Sequence, residues 1–310
     1  MKKKRRKKSA WWASQKSLIV AVVALFAFVV IWTLIRDDNA TIDYTPVDSF
    51  NDIHGLVVDP IDSKYLYIAT HRGLIRATDD TTLELVGSYR ADFMGFALDP
   101  VNGIMFASGH HVNGGNIGVI RSDNLGLKWE TIAMRGQTDF HALAISPKNP
   151  QILYGWFNNR LYKSEDNGKN WNTMSASNLT GVISLSPDPI NEQVLWAATQ
   201  KGLSRSFDGG QSFALEKFPN ETITALVIDS VQPNTMYLWV MEKGLFRSQD
   251  GGIGWQNLET NFDLSNRDSI GFIAVDPSDS QTIYAATFST KTYKTSDSGA
   301  RWHLVINGRP

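Results

Sequence analysis

The chain of 310 residues repeats itself, and that repeat constrains its fold more than any other feature. Five octets align: 122–129 (SDNLGLKW), 164–171 (SEDNGKNW), 206–213 (SFDGGQSF), 248–255 (SQDGGIGW) and 295–302 (TSDSGARW). A worn sixth copy, 78–85 (TDDTTLEL), precedes them. Their third positions are Asp80, Asn124, Asp166, Asp208, Asp250 and Asp297, at steps of 44, 42, 42, 42 and 47 residues. Each step has one layout. An apolar run ends in Asp-Pro, Ser-Pro or Asp-Ser (55–60, 96–100, 143–147, 183–187, 226–230, 273–277), and a short second strand follows, as at 65–69, 152–156 and 282–286. A third strand runs into the octet and a fourth leaves it. Four short strands with turn residues between them make a propeller blade. Six copies predict an all-β, six-bladed β-propeller over residues 50–310. No helical periodicity of useful length follows residue 36, and a strand over 42–47 is a candidate to close the ring by pairing with the last blade.

The octet has a mechanical explanation. In a tight hairpin the Asp or Asn oxygen accepts backbone N–H bonds, while Gly126, Gly168, Gly210, Gly252 and Gly299 supply a positive φ. The Ser or Thr hydroxyl adds a local bond. The aromatic residue (Trp129, Trp171, Trp255 or Trp302, with Phe213 in the remaining copy) packs its apolar area beside the neighbouring blade. These acids read as structural, not as catalytic carboxylates.

The octets resemble the Asp-box, or bacterial neuraminidase repeat, of sialidases, xyloglucanases, sortilin and a photosystem assembly propeller, over about residues 50–306. The stretches 53–56 (IHGL), 92–96 (DFMGF) and 139–143 (DFHAL) are more closely similar to a Gram-positive family of single-span, extracytoplasmic Asp-box propellers. That family commonly carries a glycosyl hydrolase label, which implies action on cell-surface or extracellular glycans. The label follows the fold and stands as analogy.

Ahead of the repeats, residues 17–35 (SLIVAVVALFAFVVIWTLI) contain no charge. As a helix they span about 28 Å, close to the hydrocarbon thickness of a bilayer. Eight basic residues and no acid occupy 1–16, and Asp37 and Asp38 follow the span. The positive-inside rule places the N-terminus in the cytoplasm and everything past the span outside the cell membrane. Trp11, Trp12 and Trp32 suit the two interfaces. The apolar run exceeds a signal-peptide core and lacks a small-residue cleavage site, so 17–35 reads as a single-pass signal anchor and 36–49 as a linker. The formal charge of -1 therefore averages two unlike regions. Eight of the 30 basic residues lie in the first 16, leaving 22 against 31 acids, a net of -9. An acidic body argues against nucleic acid as its partner. The absence of cysteine excludes disulfides, thiolate metal sites and cysteine nucleophiles.

No metalloprotease helix, nucleophile elbow, P-loop or dinucleotide fingerprint occurs. The sialidase arginine cluster and its Arg-Ile-Pro motif are missing, and the paired carboxylates of a glycoside hydrolase cannot be located by spacing. The histidines are more suggestive. Five of the six fall between 54 and 141. Six residues before the closing proline or its equivalent, the inner strands carry His54, Met94, His141, Gly181, Thr224 and Gly271. Two residues earlier, the first three blades carry Asp52, Asp92 and Asp139. The starts of inner strands face a propeller's channel, and the second-to-third-strand loops, with His71 and His110–His111, open on the same face. Imidazoles, carboxylates and a thioether thus gather at one mouth. His54, Met94 and His141 are the expected metal ligands, for copper through the Met or for zinc if the carboxylates join. His71, Asp92, His110 and Asp139 complete a ligand-binding face. A glycan or protein partner at that face, or plain filling of the channel, would use the same residues. Trp156, Phe157, Trp239 and Phe288 are candidate sugar-stacking aromatics.

Overall fold

The computed structural model describes residues 44–78, 82–176, 178–265 and 268–308. The basic segment, the expected membrane span, most of the linker and Asp80 lie outside these residues. Among the described residues there is no helix; the elements are 25 strands.

Those strands form six antiparallel sheets: five are four-stranded meanders, and the first is a four-stranded meander with one more strand on its outer edge. The innermost strands are Ile53–Val58, Asp92–Leu98, Ala142–Ile145, Val182–Pro187, Ile223–Ile228 and Ile270–Asp276. Each packs beside the next, and the sixth packs beside the first, so the blades close a ring around a channel. The channel holds a cavity of about 270 Å³ lined by His54, His141, Leu143, Ile183, Leu226 and Phe272 among others. A second space of about 200 Å³ lies toward the other mouth, among Pro60, Pro100, Pro147 and Pro277.

Buried apolar residues fall into six clusters, one per seam between blades. Tyr67 and Leu74 of the first blade meet Phe93 and Met105 of the second, with Trp129 against them. Trp171, Phe213, Trp255 and Trp302 fill the next four seams, each packing against the preceding blade. The octet turns place these rings as the sequence suggests. In the 164–171 turn, Ser164 Oγ donates to Asp166 Oδ1 (2.9 Å) and accepts from Gly168 N (3.0 Å). Asp166 Oδ1 also accepts from Asn170 N (2.9 Å), and Trp171 Nε1 donates to Gly168 O (2.8 Å). The same serine, threonine and acid bonds recur around Asn124, Asp208, Asp250 and Asp297. The glycines do two things at once: at Gly252, φ is +87°, and an added Cβ would stand 2.8 Å from the Trp196 ring of the preceding blade.

The sixth seam, where ring ends meet, is built differently. The worn octet offers Leu85 where the others carry an aromatic, and Phe50 supplies the missing ring, packing with Leu83, Leu85, Tyr284 and Ile306. The expected closing strand corrects to another partner. Tyr44–Pro46 pairs antiparallel with Thr82–Val86, the outer strand of the first blade, not with the last blade. Arg76 explains the choice: its guanidinium lies 3.4 Å from the Tyr44 ring centre and 4.4 Å from that of Tyr65, and it is paired with Glu84. Closure itself rests on packing, with Ile53 N donating to Phe288 O (3.1 Å) and Ser278 Oγ to Ser63 Oγ (3.2 Å).

The double role of the seam glycines predicts that Gly252→Ala costs about 3 kcal/mol, from left-handed backbone strain plus overlap with Trp196. Gly114, at φ +90° with open space around it, pays strain alone, so Gly114→Ala should cost about 1 kcal/mol. Denaturant midpoints of the two variants measure the difference. The turns also predict acid sensitivity. Hydrogen bonds, foremost from Ser212 and Arg301 respectively, hold Asp208 and Asp297 at about 2. Carboxyls lowered on folding stabilise fully above their unfolded value, about 4, and lose that contribution as pH falls toward 2. The thermal midpoint should drop across that window, and less steeply in an Asp208→Asn/Asp297→Asn variant.

Candidate metal centre

Four of the six aligned positions at the channel mouth share a structural cause, a bulge, while in the fourth blade the bulge falls at Ile183 rather than at the aligned Gly181. The first strand pair of the first blade shifts register between Ile53 and Gly55, leaving His54 as the bulged residue. Equivalent shifts leave Met94, Ile183, Thr224 and Gly271 unpaired in the second, fourth, fifth and sixth blades. A bulge adds one residue and re-aims its side chain, here at the rim of the channel. His141 stands just before its strand, its amide donating to Trp156 O (3.2 Å). Asp52, two residues before His54, has φ +50°, a left-handed conformation that Asp tolerates better than most residues.

Asp92 is the hub. It is only 6% exposed, yet three imidazoles surround its carboxylate. His71, from the loop after the second strand, places Nδ1 2.5 Å from Asp92 Oδ2. His110 Nε2 lies 3.5 Å from the same oxygen. His54 Nε2 is 4.0 Å from Oδ1, which is buried and makes no hydrogen bond. On the far side of the His71 ring, Nε2 lies 3.3 Å from His54 Nε2 and 3.0 Å from Asp52 Oδ2. The two rings meet edge to face, with centroids 4.5 Å apart. His54, His71 and Asp92 each offer a ligand atom, all within 4.8 Å of one another.

His141, another expected ligand, has a carboxylate partner of its own: 59% exposed at its side chain, it pairs with the buried Asp139 (Nε2 to Oδ2, 3.3 Å). Met94 is half-buried, at the equivalent bulge of the second blade. The structure therefore brings nitrogen and oxygen donors together, with His71 and Asp92 beside His54. Burial pushes the His54 imidazole below its ordinary value, and the neighbouring His71 adds to this. The hydrogen bond to Asp139 lifts His141 above its own. The sugar-stacking aromatics correct as well. Trp156 and Trp239 are each 7% exposed, because side chains of second strands face the seams rather than the mouth. Phe157 packs against another seam, and only Phe288, edge-on to Phe272, keeps appreciable exposure.

No protein-family model matches the chain, and no curated protein does. Solved structures do. A GH74 enzyme from Niastella koreensis matches with a TM-score of 0.64 and 19% identity, over 86% of this chain and 47% of its own. The chain is a six-bladed β-propeller. The GH74 xyloglucanase from Xanthomonas campestris matches at 0.58 and 16%, over 86% of this propeller and 56% of the enzyme. YCF48, solved bound to a D1 peptide, matches at 0.52 and 14%, over 86% and 85%. The propeller thus spans about half the length of the two GH74 proteins, and at these identities the likeness concerns the fold alone.

The two differently placed histidines should titrate on opposite sides of 6.5, His54 below and His141 above. Two-dimensional NMR of the ring protons measures both, and Asp139→Asn should bring His141 down while leaving His54 nearly in place.

Proposed function

We propose that this propeller is a membrane-anchored, extracytoplasmic binding or assembly module, of the Asp-box kind, whose histidine face takes a divalent zinc- or copper(II)-type ion. The observation that carries the reading is the convergence of His54, His71 and Asp92 at the mouth of the channel. Imidazole nitrogen and carboxylate oxygen suit these ions, whereas the softer copper(I) prefers sulfur. The uncharged run 17–35 behind a basic segment supports the anchor and the outward placement of the propeller. The recurring Ser/Thr–Asp/Asn–Gly bonds of the octets support the Asp-box assignment.

The fold does not choose between uses: its neighbours include GH74 enzymes and a propeller solved with a peptide. A glycoside hydrolase needs two carboxyls about 5–9.5 Å apart and free to act across a cleft. Asp92 and Asp139 are instead buried beneath imidazoles that engage them, which favours binding over glycan hydrolysis.

Titration of the full chain in detergent with Zn(II) and Cu(II), read by metal content and thermal shift, tests the reading. One ion per chain is expected, with stabilisation of about 2.7 kcal/mol when free metal reaches about 100 times Kd. His54→Ala/His71→Ala should abolish both signals. Asp250→Ala should lower the starting midpoint and leave the stoichiometry at one. No shift with either ion, or equal loss in all variants, would sink the metal and leave a glycan or protein partner for that face.

A further inference from the structure

The two carboxylates beside His71 do different work, and the difference follows from where protons can sit. A carboxylate only accepts, so the 2.5 Å contact from Asp92 Oδ2 fixes the His71 proton on Nδ1. In the neutral ring, Nε2 then carries a lone pair. Facing that lone pair are the Asp52 oxygen at 3.0 Å and His54 Nε2 at 3.3 Å. Electron-rich atoms repel at such distances unless a cation or a proton stands between them. A proton on His54 Nε2, or a second one on His71, satisfies one of these contacts at a time, while a metal ion between the atoms would satisfy all three. Both contacts of His71 Nε2 are near the spacing an ion needs: with bonds of about 2.0–2.1 Å, two ligands of a tetrahedral zinc stand about 3.3 Å apart.

Resting on the metal-binding reading above, we infer that Asp52, not Asp92, is the third protein ligand, joining His54 Nε2 and His71 Nε2. Asp92 is a positioning residue, holding the His71 ring from behind by its Nδ1–H, as carboxylates behind ligating histidines do at zinc sites. The local backbone agrees. The left-handed φ of Asp52 immediately precedes the bulge that aims His54. Asp52 is exposed, with its side chain half open to solvent, whereas Asp92 is buried and already shared between His71 and His110. Three protein donors leave a fourth position for water or an added ligand, the arrangement of an open rather than a purely structural site.

Cobalt(II) substituted for zinc in the full chain tests this, because its visible bands report the ligand set. Asp52→Asn should weaken binding and change the bands. Asp92→Asn should weaken binding about 10–100-fold and leave the bands and the one-to-one stoichiometry alone. Metal-free unfolding midpoints separate either effect from a folding defect. The inference is overturned if Asp52→Asn matches the parent in affinity and spectrum, or if Asp92→Asn alone alters the bands. If the parent chain binds no Co(II) or Zn(II), the metal reading itself falls and this assignment with it. Binding that survives Asp52→Asn unchanged removes the assignment only.

Discussion

The propeller depends on close approach between neighbouring blades, and the octet glycine sets how close. At five seams a turn in a left-handed conformation lays its bare Cα against the preceding sheet, and a neighbouring aromatic ring fills the space alongside. The Ser/Thr and Asp/Asn bonds hold the turn in that conformation, so the polar part of the motif serves the apolar part. Stacked this way, short strands that could not survive as lone hairpins share continuous buried seams. The channel, its rim and the histidine cluster inherit their geometry from those seams.

Much of this was legible in the sequence because the octet couples a visible pattern to one mechanical job. The spacing of Asp166, Asp208 and Asp250 located the blades, and the inner strands ended within two residues of the expected Pro or Ser. The partner of the 42–47 strand was not legible. A three-residue edge strand has little pattern of its own, and its place is decided by Arg76 lying between Tyr44 and Tyr65, a contact that spacing cannot reveal. The worn octet was visible, but not that Phe50 would stand in for its missing ring. Trp156 and Trp239 misled for a related reason: at strand ends, one residue of register decides between seam and mouth.

The candidate site was legible as a region and not as a constellation. Alignment on the closing prolines picked out the bulge positions in four blades, which is why His54 and Met94 fell into one register. It treated the six positions as equivalent. Side chains from the loops, however, choose partners by reach, and His71 crosses from the first blade to Asp92 of the second. A pattern that reads one strand at a time cannot see that crossing, though a histidine at the tip of the adjoining loop was its signal.

The unusual sixth seam also bears on how such a chain could acquire and assemble its blades. Because the N-terminal strand joins the first blade and not the last, every sheet is continuous in sequence, and no blade waits for a segment from the opposite end of the chain. Strand pairing is then local throughout, and sequential folding from one end suffers little loop-closure penalty until the ring shuts. That last event joins residues as distant as Ser63 and Ser278, 215 positions apart, through seam packing and isolated hydrogen bonds rather than a shared strand ladder. It also means that duplicating or deleting one segment of about 42 residues would add or remove a whole blade without orphaning a strand, the angle at every seam then adjusting to the new blade count.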